Sequence, residues 1–418
     1  MMRGQSLCRH REGYRLTLDR NDCYVTLKVC ADHSQDRSDG ESSAASELAL
    51  YQKMRGLETE HEGMFCLRML KNSFIVTSPI EGEHRCFVYE PAVTDLDGLI
   101  SRLKPGTENT NNILKHVTKS VLMALDFLHE ELQMIHADAK MDNVLLLVTD
   151  NTSFAHAAAD LKARPMPAKY SKKTTRYIYP SVNIGAHMQD IPWGRSILAD
   201  LGEARQIDER GMQDYCGTYP EPYRPPEIRL CMKWSSSVDV WAAGIMVWSA
   251  FERELIFGSY EGEPEKVEAN HLARMIGILG PPPLNFLKRS TESLEYWERD
   301  GTWRGVHGVD LLYQSLEDKV TSFSGTDLSL FVGFMRSMLR WEPEERLTLK
   351  QLLNHPFLQE DPKKGDNDDC NMSAEDDREG MVGGESVEGQ LGGDEPTEQH
   401  EFAEDELEEA ASVNGEQL

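Results

Sequence analysis

The sequence has no apolar stretch long enough to cross a bilayer. Its longest apolar run, VWAAGIMVWSAF (240–251), spans 12 residues, against the roughly 20 that a membrane helix needs. The opening stretch MMRGQSLCRHREGYRLTLDR carries no apolar segment of the kind a secretory leader has. These two absences predict a soluble protein with no membrane partner. Paired cysteines are also missing. The eight present, Cys8, Cys23, Cys30, Cys66, Cys86, Cys216, Cys231 and Cys370, show neither a C-x-x-C nor a paired spacing. That pattern argues against a thiolate zinc site or a disulfide framework and for a reducing compartment, the cytoplasm or the nucleus. No internal repeat is visible. Positive charge is scarce, with 44 Lys and Arg against 71 Asp and Glu and a net charge of −27. Nucleic-acid binding draws on Lys and Arg that neutralise phosphates, so no direct nucleic-acid partner is expected, and the chain is expected to be a monomer.

The negative charge is concentrated at one end. Residues 359–418 hold 21 Asp and Glu against 3 Lys and Arg, a net of −18, which leaves −9 for residues 1–358. With few aliphatic residues, many glycines and dense like charge, this stretch cannot bury enough surface to offset the entropy of ordering, so it reads as a disordered acidic tail. Ahead of it the pattern changes once. Residues 1–90 read as a small, mostly β unit: YVTLKVC (24–30), FIVTSPI and RCFVYE are strand-like, and SELALYQKMRGL (46–57) is helical. Residues 91–358 read as a larger helical unit, entered by a 3.6-residue stripe of Ile113, Leu114, Val117, Val121, Leu122, Leu125 and Leu128. Within it, residues 150–196 include the Lys-, Pro- and Thr-rich ARPMPAKYSKKTTRYIYPSVN, expected as a surface insertion and not as core.

The densest chemistry lies in MIHADAKMDNVLL (134–146), which crowds a His, two Asp, a Lys and an Asn into eight residues before turning apolar. Phosphoryl transfer needs a carboxylate to orient the attacking hydroxyl, a cation near the moving phosphate and oxygen ligands for Mg²⁺. HADAKMDN followed by ILADLGEA offers all three. The pair resembles the catalytic loop H-R-D-x-K-x-x-N and the metal motif D-F-G of the protein kinases. The resemblance implies that Asp138 is the catalytic base, Lys140 the cation on the transferred phosphate, Asn143 a second metal ligand and Asp200 the principal Mg²⁺ ligand. His136 is expected to be a packing residue.

Further landmarks follow in family order over residues 24–358. VTLKVC resembles the strand with the ATP-binding lysine, here Lys28, and SELALY the helix whose acid pairs with it, here Glu47. Glu90 and Ala92, at and after the strand RCFVYE, are implied to contact the nucleotide. YRPPE resembles the end of the activation segment, and Arg346 in RWEPEERLTLKQLLNHPF matches the arginine that pairs with its glutamate, here Glu227. VDVWAAGIMVW is similar to the central helix of the large lobe, where Asp239 would cap the catalytic-loop backbone. Read without the resemblance, Lys28 is an exposed strand lysine and Glu47 a solvated helix acid. The implied fold is α+β: a two-lobed kinase with a small β-rich N-lobe and a larger helical C-lobe, using ATP and Mg²⁺.

YR before PPE and the insertion ending HLARMIGILGPPP resemble the group of cyclin-dependent, MAP and SR-protein kinases. Ala137 in place of the catalytic-loop arginine, D-L-G for D-F-G and the long insert look like the SR-protein-kinase branch, and TTRYIYPSVN and ADLGEAR are similar to its fungal members. Such enzymes phosphorylate Ser in Arg/Ser-rich proteins. Two features depart from the family. No G-x-G-x-x-G precedes Lys28, so the first strand and the phosphate-covering loop are expected to be missing. Pro220 stands where a hydrogen-bonding Thr is usual, with Thr218 two residues earlier. These features leave open a catalytically silent pseudokinase scaffold that binds basic partners.

Overall fold

A computed structural model describes residues 13–18, 24–30, 43–78, 82–147, 194–208 and 221–359, with isolated stretches between 154 and 178. The chain divides into two units, Met1–Glu360 and Asp361–Leu418, and every described residue belongs to the first. The acidic tail from residue 360 onward, residues 1–12 ahead of the first strand, and Cys216, Thr218 and Pro220 all lie outside the described residues.

The β-rich part is a four-stranded antiparallel sheet in the order β1-β2-β4-β3, built from β1 (Gly13–Leu18), β2 (Tyr24–Val29), β3 (Leu70–Ser78) and β4 (Gly82–Tyr89). The register sets Lys28 opposite Phe87 and Thr26 opposite Tyr89. Cross-strand partners share a face, and so do residues two apart, so Lys28 and Tyr89 are on the same side of the sheet. One helix, α1 (Ser43–Arg55), packs on that side. It buries Glu47, Leu50, Tyr51 and Met54, the i, i+3, i+4, i+7 spacing of a single helical face. Lys53 donates to the Leu132 carbonyl at 2.8 Å and Arg55 to that of Lys71 at 2.9 Å, which fixes the C-terminal turn of α1.

Beyond β5 (Ala92–Asp95) and the short α2 (Leu96–Ile100), helices dominate. Helix α3 (Glu108–Glu130) starts at Thr107, whose hydroxyl accepts from the Thr110 amide, and buries the expected stripe from Leu114 onward. Two short strands, β6 (Met134–Ile135) and β7 (Val144–Leu147), bracket the HADAKMDN segment. Residues 150–196 contribute a small pair, β8 (Lys169–Ser171) and β9 (Arg176–Ile178). Phe154 departs from the surface-insertion expectation: it is 1% exposed, with its ring 6.1 Å from that of Tyr24 in β2. Burying a phenyl ring is worth about 2–3 kcal/mol, enough to draw one point of a polar stretch into the core. Strand β10 (Ser196–Leu198) pairs with β7, and β11 (Arg205–Gln206) with β6.

The 12-residue apolar run belongs to α5 (Ser237–Glu252), which follows the short α4 (Pro226–Arg229) and is buried from Val238 through Phe251. A helix apolar all round is stable in the centre of a large core. A side chain at Gly244 would meet Leu339 Cδ2 at 2.9 Å, so glycine permits the close approach there. Among the described residues no helix is long and apolar enough to cross a membrane. Cys30, Cys66 and Cys86 are buried and Cys231 is exposed.

Candidate active site

Three anchors shape the 136–143 loop. Asp239, in the first turn of α5, accepts from the His136 amide (2.8 Å) and the Ala137 amide (3.0 Å), and His129 of α3 reaches the same carboxylate at 2.8 Å. Burial alone would push Asp239 up, but the contacts with His129 and His136 outweigh it and hold the carboxyl below its ordinary range. This clamp holds Ala137 at φ +63°, a left-handed conformation that a non-glycine residue keeps only when its surroundings fix it. The third anchor is His136 itself, wholly buried: Nδ1 accepts from the Asp138 amide at 3.2 Å, which leaves Nε2 to donate to the Ala199 carbonyl at 3.1 Å. His136 therefore does more than pack, since it ties the loop to the residue before Asp200.

Asp138 is thereby held beneath its neighbours. Its Oδ2 accepts from Lys140 Nζ at 2.7 Å and from Asn143 Nδ2 at 3.0 Å, and Asn143 Nδ2 also donates to the Asp138 carbonyl at 2.8 Å. No hydrogen bond reaches Asp138 Oδ1 from the described residues, so that oxygen keeps its acceptor capacity in a residue that is 3% exposed. Burial pushes the Asp138 carboxyl above its usual value and outweighs the attraction of Lys140. For Lys140 burial acts downward, yet the Asp138 charge and hydrogen bond overcome it and the net direction is up. Lys140 is therefore a fixed cation at neutral pH.

The second group comes from three elements. Lys28 of β2 donates to Glu47 Oε2 of α1 at 2.8 Å and to Asp200 Oδ1 at 3.0 Å. Lys28 and Glu47 are each 1% exposed, so the alternatives of an exposed strand lysine and a solvated helix acid do not hold. Asp200 follows β10 with φ +65° and ψ +77°, a second left-handed non-glycine residue in the site. The two groups adjoin: the Ala199 amide donates to the Asn143 carbonyl at 2.8 Å, and the negative charge of Asp200 acts on Asp138. Asn143 turns its amide nitrogen toward Asp138, which leaves its amide oxygen as an acceptor. One amide oxygen and one carboxylate are hard donors, suited to a divalent cation that completes its shell with phosphate oxygens.

The other expected residues fall around this centre. Glu90 is partly exposed: its carbonyl accepts from Arg68 at 3.2 Å and its carboxylate lies 3.8 Å from Arg195. Ala92 opens β5 and pairs with Leu147. Glu227 and Arg346 are distant in sequence but meet in a buried two-bond pair, both at 2.7 Å, with the guanidinium 5.0 Å from the Trp241 ring. Three residues went unread in the sequence. His129 carries a faint signal in FLHE, Arg68 carries none, and Tyr89, whose hydroxyl donates to Glu47 Oε1 at 2.9 Å, shows in the sequence only as part of a strand.

An acidic rim borders the loop. Asp97 and Asp142 are exposed, and both raise the pKa of Asp95, on which burial is the largest influence. Tyr223 is pushed up to about 12 by burial and, more weakly, by Asp142, Asp97 and Asp138.

Residues 192–358 match the family described as the protein kinase domain. A serine/threonine protein kinase of Aspergillus fumigatus is 34% identical over 337 residues, covering 80% of this chain and 78% of the relative. The serine/threonine-protein kinase SRPK of Physarum polycephalum is 28% identical over 359 residues, with 81% and 80% covered. Protein kinase dsk1 of Schizosaccharomyces pombe is 23% identical over 425 residues, with 80% and 76% covered.

Proposed function

Since the chain belongs to the protein-kinase family, as a serine/threonine kinase that uses ATP and a divalent metal on protein substrates, we propose that it phosphorylates serine in basic, Arg/Ser-rich segments with Mg²⁺ as the metal. The observation that carries the reading is that the Lys28–Glu47–Asp200 group and the Asp138–Lys140–Asn143 group adjoin through the Ala199–Asn143 backbone bond and the charge of Asp200 on Asp138. Each residue has one task. Asp138, anchored through Oδ2, offers Oδ1 to the substrate hydroxyl and takes its proton as the oxygen attacks. Lys140, held protonated by Asp138, places a cation where charge accumulates on the moving group. Lys28, fixed by Glu47, holds the nucleotide phosphates, Glu90 and Ala92 border its base, and Asn143 and Asp200 hold the metal. Mg²⁺ bound with ATP supplies charge neutralisation on the phosphates. Glu227, Asp239 and Arg346 are structural supports of this centre.

The substrate class rests on charge and kinship. The acidic rim of Asp95, Asp97 and Asp142 beside Asp138 and the net −9 of residues 1–358 favour a basic strand. The Physarum relative, named SRPK, supports the same class. The working compartment on this reading is the cytoplasm or nucleus. Thermal melting tests the nucleotide site, because a ligand bound only by the folded state raises stability. Mg-ATP is expected to raise Tm, and Asp200→Ala to remove the metal-dependent part of the rise. An unshifted Tm at millimolar nucleotide would contradict the reading.

A further inference from the structure

Glu47 divides its carboxylate between two donors on two strands. Oε2 accepts from Lys28 of β2, and Oε1 accepts from the Tyr89 hydroxyl at the end of β4. Both oxygens are buried, and a buried carboxylate oxygen without a donor carries a desolvation penalty. Lys28 meets Glu47 at Oε2 and Asp200 at Oδ1, 3.0 Å away, while the bond to Glu47 Oε1 comes from the phenol. The phenol is thus the donor that completes Glu47.

We propose that Tyr89 is a positioning residue of the nucleotide site, whose hydroxyl holds Glu47 turned toward Lys28. The inference rests on the reading of Lys28 and Glu47 as nucleotide-site residues. Tyr89 is built for a fixed role: it is 1% exposed, and the Arg68 guanidinium lies 4.4 Å from its ring centre while donating to the Glu90 carbonyl. The rings of Tyr51 and Phe87 close in at 6.0 and 6.2 Å. Burial, then Tyr51 and Glu47, push the phenol far above its ordinary range, so it stays a neutral donor at any working pH. The chain Glu47–Tyr89–Arg68–Glu90 therefore links the acid on α1 to the segment expected to border the base. A phenylalanine in this position would preserve the ring contacts and leave Glu47 held from one side only.

The test is titration calorimetry of Mg-ATP on the full chain, with steady-state KM for ATP and for peptide. Tyr89→Phe is expected to weaken ATP by about tenfold, the loss of one hydrogen bond to a charged group, with KM for peptide unchanged. In a Glu47→Ala background the same change should add nothing, because the acceptor is gone. Tyr51→Phe removes a neighbouring hydroxyl that does not bond Glu47, and it should bind ATP as the parent does. The proposal is overturned if Tyr89→Phe binds ATP normally, if its loss persists undiminished in the Glu47→Ala background, or if Tyr51→Phe loses as much. Failure of the parent chain to bind Mg-ATP would instead overturn the nucleotide-site reading, and this inference with it.

Discussion

Lys140 Nζ stands 2.7 Å from Asp138 Oδ2, and the two groups govern each other's protonation. Burial raises Asp138 while the lysine charge opposes the rise. A carboxylate acting as base is lost as pH falls through its pKa, so the acid limb of kcat/KM should lie above the ordinary carboxylate value of about 4. Lys140→Met removes the opposing charge and should move that limb to higher pH while lowering turnover. A limb that stays in place or moves to lower pH would show that Asp138 is not the group being titrated.

The same raised pKa bears on stability. A carboxyl whose folded pKa lies above its unfolded one binds more protons in the folded state. Stability then falls as pH rises from the unfolded pKa through the folded one, and the ionised form is a net cost at neutral pH. Asp138→Asn keeps the shape and removes that cost, but it also removes the charge that raises Lys140, so the two effects oppose and Tm at pH 7 should change little while phosphoryl transfer collapses. A marked fall in Tm would make Asp138 a structural carboxylate.

Glu227 and Arg346 form a buried pair of the opposite kind, in which the guanidinium meets the carboxylate, nearby carbonyls and the face of Trp241. Removing one partner leaves an uncompensated buried charge, so Arg346→Leu should lose about 3–5 kcal/mol in urea unfolding. Replacing both should cost less than the sum of the single changes. Additive losses would mean that the pair is not coupled.

Much of this site was legible because its residues lie close together in the chain. HADAKMDN and ADLGEA carry their chemistry within a few residues, and the spacing of Leu114, Val117, Val121 and Leu125 gives α3 directly. Long-range partners were legible only through the family resemblance, since nothing local ties Glu227 to Arg346 across 119 residues. The contacts that went unread are those whose signal is purely spatial. Tyr89 meets Glu47 because β4 pairs with β2 beneath α1, and Phe154 meets Tyr24 from a stretch whose composition is that of a surface.

Phe154 gives a direct check on that last point. Phe154→Ala should lower stability by about 3–5 kcal/mol, the usual cost of deleting a buried ring, and should raise KM for ATP because Tyr24 opens the strand that carries Lys28. A change within 0.5 kcal/mol, typical of surface positions, would return Phe154 to the surface.

The central claim is that Asp138 takes the proton from a serine in a basic strand, and radiolabel transfer from ATP to peptides tests it most directly. An Arg/Ser-repeat peptide should be labelled on Ser faster than an acidic or a Pro-directed peptide. The preference should shrink as salt rises, since screening lengths fall from about 10 Å at 0.1 M to about 3 Å at 1 M. Asp138→Ala should bind Mg-ATP nearly as the parent does and transfer label slower by orders of magnitude. Absence of transfer by the parent chain with Mg-ATP bound, or undiminished transfer by Asp138→Ala, would contradict the account.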